Sequence, residues 1–190
     1  MSISPPEPAD LEDIKAMVDS CDNPFNGKRD KAILLSLLDT GARAHEFLAL
    51  NIDALNYTTG ALIIREGKGG KFRSVFLGKK ARRTVRTYLR ERIDESPAFW
   101  IKKGGERFSY WGLREVIRRY ATRVGVRTPT IHSFRRMFAL NMPRAGVDIF
   151  SLQELMGHAD LRVLRKDLAQ STEDIAHAHK IGSPVYNARF

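Results

Sequence analysis

The chain carries a single cysteine, Cys21, in 190 residues. That excludes an intrachain disulfide and any zinc site built on several thiolates, and it fits a reducing, cytoplasmic setting. No apolar run approaches the roughly 18 residues of a membrane-spanning helix. The opening MSISPPEPADLED is acidic and proline-rich and lacks the basic-then-apolar order of a secretory leader. Internal repeats and low-complexity tracts are also missing. Acidic residues are scarce in one region only. Between Arg65 and Arg123 there are 6 Asp/Glu against 18 Lys/Arg, whereas the remainder has 16 against 14. The whole net charge of +10 therefore originates in the central third. Such a concentrated positive field suits a polyphosphate partner, because each neutralised phosphate releases condensed counterions. A merely solvated basic surface is the other reading of the same charge.

What is present reads as one globular domain over 1–190, with 43% hydrophobic and 28% charged residues. Helices are expected from Asp10 to about Cys21, and from about Lys28 until Thr40-Gly41 stops the second. A brief one follows through Arg43 to Leu50. The period then changes to two. Leu55–Tyr57, Ala61–Glu66 and Phe72–Leu77 read as three short antiparallel strands joined by glycine-rich turns. Further helices are expected over Lys79–Ile93, from Ser109 to Gly125, from Thr130 with Pro143 kinking or ending it, after Asp148 and Asp160, and from Ser171 to about Ile181. The fold class is thus α+β, mainly helical, with a small three-stranded antiparallel sheet near the N-terminal third and a C-terminal tail over 171–190. Trp100 and Trp111 are expected in the core. His177 and His179, two apart on a helix, face different ways and are read as solvated. No metal or cofactor is expected.

Taken singly, the chemistry-bearing residues admit ordinary readings. Arg43 could pair on a helix surface, Lys68 and Lys71 could be solvated turn lysines, and His158 could end a helix. Together they form a pattern. Gly41-Ala42-Arg43-Ala44-His45-Glu46-Phe47 is similar to the first arginine box of the tyrosine recombinases and phage integrases. Gly67-Lys68-Gly69-Gly70-Lys71 resembles their hairpin lysine. Ile131-His132-Ser133-Phe134-Arg135-Arg136 resembles the His-x-x-Arg box, and Leu155-Met156-Gly157-His158 the Gly-His box that follows it. The likeness runs from about residue 10 to 180.

The resemblance implies DNA breakage and rejoining through a 3′-phosphotyrosyl intermediate, without cofactor. Physical chemistry agrees, since a five-coordinate phosphorus handled without metal needs fixed cationic donors, and arginine's planar fork supplies them. By resemblance, Arg43 and Arg135 clamp the phosphate, and His132 and His158 hydrogen-bond it or move a proton. Lys68 protonates the leaving 5′ oxygen, and Glu46 is a supporting carboxylate. Double-stranded DNA is the implied partner, bound as a homo-oligomer, a tetramer by analogy, with the terminal segment passing between neighbours. Its backbone is expected along Lys71, Arg73, Lys79, Arg82, Arg86 and Arg136, although the Arg82, Arg86, Arg90 row reads equally as a solvated face. The N-terminal DNA-binding domain usual in the family is not represented in these residues.

One position departs from the pattern. The nucleophilic tyrosine is expected about nine residues past the Gly-His histidine, and Asp167 stands there between intact flanks, Leu164-Arg165-Lys166 and Leu168-Ala169-Gln170. A carboxylate beside a phosphodiester adds like-charge repulsion, and an acyl phosphate is more labile than a tyrosyl one. Three accounts stand: a lost nucleophile, natural or engineered; Tyr186 supplying the phenol instead; or chemistry by Asp167 itself. The readings of function that result are a recombinase domain, a catalytically silent DNA-binding or accessory protein, and a domain binding RNA or acidic partners. The ordered boxes argue against the last.

Overall fold

The computed structural model describes residues 9–22, 24–65, 72–157, 176 and 179–187. The chain divides into two units, 1–158 and 159–190, a boundary ahead of the tail expected from 171. In the first unit, α1 (Leu11–Asp19) is capped by Asp10, whose carboxylate accepts from the Glu12 and Asp13 amides. It turns Ile14, Met17 and Val18 inward at helical spacing. The second helix, α2 (Phe25–Thr40), runs through the centre and packs on both α4 (Lys79–Arg90) and α6 (Ile131–Arg144). It starts three residues ahead of the expected Lys28 because Pro24 takes the cap position, where a missing N–H costs nothing.

Gly41 closes α2 at φ +56°, and a Cβ there would lie 2.5 Å from the Phe138 ring. Both the left-handed backbone and the close approach of α6 require glycine. The chain then enters α3 (Ala44–Ala49) and a 3-10 turn at Ile52–Ala54.

Among the described residues the sheet has two strands, not three. Strand β1 (Ala61–Arg65) pairs antiparallel with β2 (Phe72–Phe76) in the register Ala61↔Phe76, Ile63↔Ser74, Arg65↔Phe72. The expected first strand is reduced to one bridge, Leu55↔Leu62. The reason is local: Asn56 Oδ1 accepts from the Thr58 and Thr59 amides at 2.9 and 3.0 Å and curls the backbone into a turn. Likewise α4 stops at Arg90, short of the expected Ile93. Arg92 folds back to donate to Asp94 and to the Ala98 and Ser96 carbonyls, while Asp94 accepts from the Ser96 amide. This turn chemistry replaces a further helical turn and leaves Ile93 fully exposed.

Ser109 and Gly125 bound α5 (Tyr110–Val124), and Thr130 caps α6 by accepting from Ser133 N at 3.1 Å. Pro143 falls in the last turn of α6, so it ends the helix without kinking its middle. Asp148 caps α7 (Ile149–Met156). Trp100 stacks with Phe47 and Tyr88 at centroid distances of 4.9 and 5.7 Å in the core. Trp111, expected in the core, is 72% exposed, because the first turn of α5 extends past the body. Among the described residues no helix is long and apolar enough to cross a membrane. In the second unit, residues 179–182 are helical and α8 (Pro184–Asn187) follows.

Candidate active site

A carboxylate, Glu46, is the organising element. It is the third residue of α3, and Oε2 reaches back to the Arg43 amide at 2.9 Å, the capping reach of a residue at that position. Its Oε1 also accepts from Arg43 Nη1 at 2.9 Å. Across the inner face of the hairpin, Arg73 donates Nη1 to Oε1 at 2.7 Å and Nη2 to Oε2 at 2.6 Å, a bidentate fork. Burial on its own would raise the Glu46 carboxyl. The hydrogen bonds from Arg73 and from the Arg43 amide overturn that and hold it at about 2. Glu46 is therefore a fixed anion, unsuited to moving protons near neutral pH.

Arg135 reaches the same region from α6. Nη1 donates to the carbonyl of Gly41, which caps α2 and opens the first arginine box, and Nη2 donates to the Met156 carbonyl at 2.6 Å. Arg73 Nε donates to the neighbouring Leu155 carbonyl at 3.1 Å. Two buried guanidiniums thus hold consecutive carbonyls at the C-terminal end of α7. Carbonyls there are the natural acceptors, since they have no partner within the helix. Gly157 follows, with φ +80°.

The structure accordingly joins Arg43, Glu46 and Arg135 around the end of the Gly-His helix. His132 lies immediately before the buried Ser133–Arg135 stretch and is itself exposed. It lines an open groove of about 660 Å³ with Trp111, Arg114, Pro129 and Thr130 among others. Lys68, Lys71, His158 and Asp167 lie outside the described residues, as do the Asp160 cap and the Ser171 start of the tail helix. Tyr186 is 62% exposed in the second unit, with Lys180 Nζ 5.4 Å from its ring centroid.

Of the expected DNA contacts, Arg73 is placed differently. It is 8% exposed, on the inner face of β2, where alternation with the buried Val75 and pairing with Ile64 turn it inward. That alternation was readable from the sequence; its carboxylate partner was not. Lys79 is exposed, and Arg136 is half-buried. Arg82 and Arg86 donate to the Thr58 and Tyr57 carbonyls at 2.6 and 3.0 Å, fastening α4 to the turn before β1. Among the described residues no group of three His, Cys, Asp or Glu side chains could hold a metal.

A second buried ionic cluster lies away from this junction. Asp30 accepts from Arg29 Nε at 2.8 Å, from Arg119, and from the Tyr120 hydroxyl at 3.4 Å. Burial nevertheless pushes its carboxyl upward. Arg29 also stacks on Phe108 at 4.5 Å and donates to the Ile101 carbonyl. These bonds tie α2 to α5 and to the segment between α4 and α5, a structural role.

Comparison with known proteins points one way. Residues 9–172 match the phage integrase family. Tyrosine recombinase XerA of Pyrococcus furiosus is 33% identical over 172 residues, which cover 85% of this chain and 59% of that protein. Tyrosine recombinase XerC of Thermodesulfovibrio yellowstonii is 36% identical over 148 residues, covering 72% and 48%. The chain thus spans about half the length of the curated relatives it matches. A crystal structure of XerA recombinase superposes with a TM-score of 0.78 at 21% identity, over 99% of this chain and 68% of that one. The XerH site-specific recombinase, bound to palindromic difH substrate in a post-cleavage complex, gives 0.75 at 22% identity, over 93% and 53%. At these identities the two structures speak to the fold.

Proposed function

Since the chain belongs to the phage integrase family of tyrosine recombinases, we propose that it is a DNA-binding strand-exchange domain whose phosphate clamp is kept and whose nucleophile is replaced. Arg43 and Arg135 grip the non-bridging oxygens of one phosphodiester, His132 and His158 hydrogen-bond it, and Lys68 delivers a proton to the leaving 5′ oxygen. The observation that supports this reading is the junction around Glu46: Arg43 donates to Glu46, and Arg135, 92 positions further on in sequence, donates to the Gly41 carbonyl two residues before Arg43. Fixed cationic donors stabilise the charge that develops on phosphorus without reorganising during the reaction.

Asp167 cannot take the tyrosine's part. A phenoxide attacks phosphorus and leaves again as a comparably good leaving group, which makes rejoining possible. A carboxylate next to the clamp would pair with its arginines instead. The chain therefore binds duplex DNA without cutting it, and the basic segment from Arg65 to Arg123 makes that binding steeply salt-dependent.

A pool of nicked duplexes that trap the covalent intermediate tests this directly. The chain should form no protein–DNA adduct, and Asp167→Tyr should form one. An adduct from the unaltered chain that disappears in Tyr186→Phe would move the nucleophile to the tail. Absence of an adduct from an Asp167→Tyr protein that still binds the duplexes would sink the mechanism.

A further inference from the structure

Arg73 stands where neither a DNA contact nor a core residue is needed. Its neighbours on the inner face of the hairpin, Leu62, Ile64 and Val75, are apolar and buried, and an apolar side chain would complete that face at lower cost. Burying a guanidinium carries a desolvation penalty of several kcal/mol unless its donors are met. Here they are met by both oxygens of Glu46 and by the Leu155 carbonyl.

The consequence concerns Arg43. One carboxylate faces two cations, so the trio of Arg43, Arg73 and Glu46 keeps one net positive charge. Arg73, 93% buried along its side chain, is the better-desolvated partner and takes the bidentate geometry; the Arg43 side chain is 25% exposed. Were Arg73 absent, Glu46 would be the counterion of Arg43 alone. The carboxylate would then draw the guanidinium onto itself and cancel the charge that a phosphate is meant to meet.

We propose that Arg73 is a positioning residue of the strand-exchange reaction: it neutralises Glu46, which keeps the charge of Arg43 available to the scissile phosphate, and it ties the hairpin to the end of α7. This rests on the function proposed above. It also gives the hairpin a second role. The 66–71 connection that carries Lys68 begins and ends at the Arg65↔Phe72 pair, and Arg73 is the next residue. Seating the strand pair on the body is thereby coupled to the alignment of Arg43.

The test is made in the Asp167→Tyr background with three changes: Arg73→Met, Arg73→Lys, and Arg73→Met combined with Glu46→Gln. Adduct formation is measured at saturating nicked duplex, so that chemistry is separated from binding. Arg73→Met should slow it by about 100-fold, the scale of a misplaced catalytic group. Removing the Glu46 charge as well should recover at least about tenfold of that loss, because nothing then captures Arg43. Arg73→Lys, which keeps the charge and loses the fork, should fall between. A merely structural arginine acts through stability alone, so wherever the variant folds its rate at saturating duplex would match that of the parent. A rate for Arg73→Met within about threefold of its parent, or a double variant no faster than the single one, would overturn the proposal. Should Arg73→Met fail to fold, the Lys variant with and without Glu46→Gln carries the same comparison.

The family reading is separated by a measurement that needs no cleavage. Nitrogen-15 NMR of the unliganded Asp167→Tyr protein should show slowed rotation of the Arg43 guanidinium when Arg73→Met is added and its return in the double variant. Unchanged Arg43 rotation would refute the positioning role even where Asp167→Tyr forms adducts. Slowed rotation in a protein whose Asp167→Tyr form makes none would uphold it while the proposed reaction fell.

Discussion

Replacing Glu46 by glutamine keeps the shape of the side chain and removes the charge on which the junction is built. The carboxyl is held at about 2 against an ordinary 4.5, and the residue is 4% exposed, so solvent screening takes little from the effect. A depression of that size corresponds to roughly 3 kcal/mol of stability. Because the folded value lies below the unfolded one, this contribution is complete above about pH 4.5 and is lost as pH falls through about 2. Near pH 3 roughly half should remain. The substitution additionally leaves two guanidiniums around a neutral amide, and uncompensated buried charge makes losses of about 3–5 kcal/mol common. Urea unfolding of both proteins between pH 7 and pH 3 is the assay. The gap between them should be about 3 kcal/mol or more at pH 7 and should narrow below pH 4.5 as the parent protonates. A gap below about 1 kcal/mol at pH 7, or one that stays constant down to pH 3, would refute the assignment of Glu46 as the charged hub.

Three further substitutions probe the frame of the site. Gly41→Ala places a Cβ 2.5 Å from the Phe138 ring and in a left-handed conformation; the backbone and overpacking contributions together make a loss of roughly 2–4 kcal/mol the expected result of thermal or urea unfolding. A loss below about 0.5 kcal/mol would mean that α6 does not approach α2 as described. The two tryptophans should separate cleanly: Trp100→Ala should cost about 3–5 kcal/mol and remove the blue-shifted fluorescence, whereas Trp111→Ala should change stability by less than about 1 kcal/mol. Equal losses would contradict exposures of 1% for Trp100 and 72% for Trp111.

How much of this was readable in advance follows from the range of the interactions involved. The caps at Asp10, Ser109, Thr130 and Asp148 and the stops at Gly41 and Gly125 were legible because each is a contact within a few residues, or a conformation of one residue. The order of the boxes around Arg43, His132 and Arg135 was legible for a different reason: chemistry that requires several cationic donors leaves them at separated positions with recognisable surroundings. The third strand was misjudged because Leu55–Tyr57 has strand-like residues, and the competing turn depends on which way the Asn56 side chain bonds. Trp111 sits next to a helix cap and reads as apolar core; its exposure depends on where α5 begins relative to the body.

The sequence by itself determined the family and most helix limits, both of which depend on local chemistry or on residue identity. It also sets Asp167, between intact flanks, where the resemblance expects the family's tyrosine. Only the tertiary structure decided that Arg73 turns inward to Glu46, that Glu46 serves two arginines, and that Arg135 bridges the ends of α2 and α7. A strand's alternation says that a side chain faces the core. It does not say which charge, tens of residues away, makes that burial tolerable, because the partner is chosen by how the elements pack.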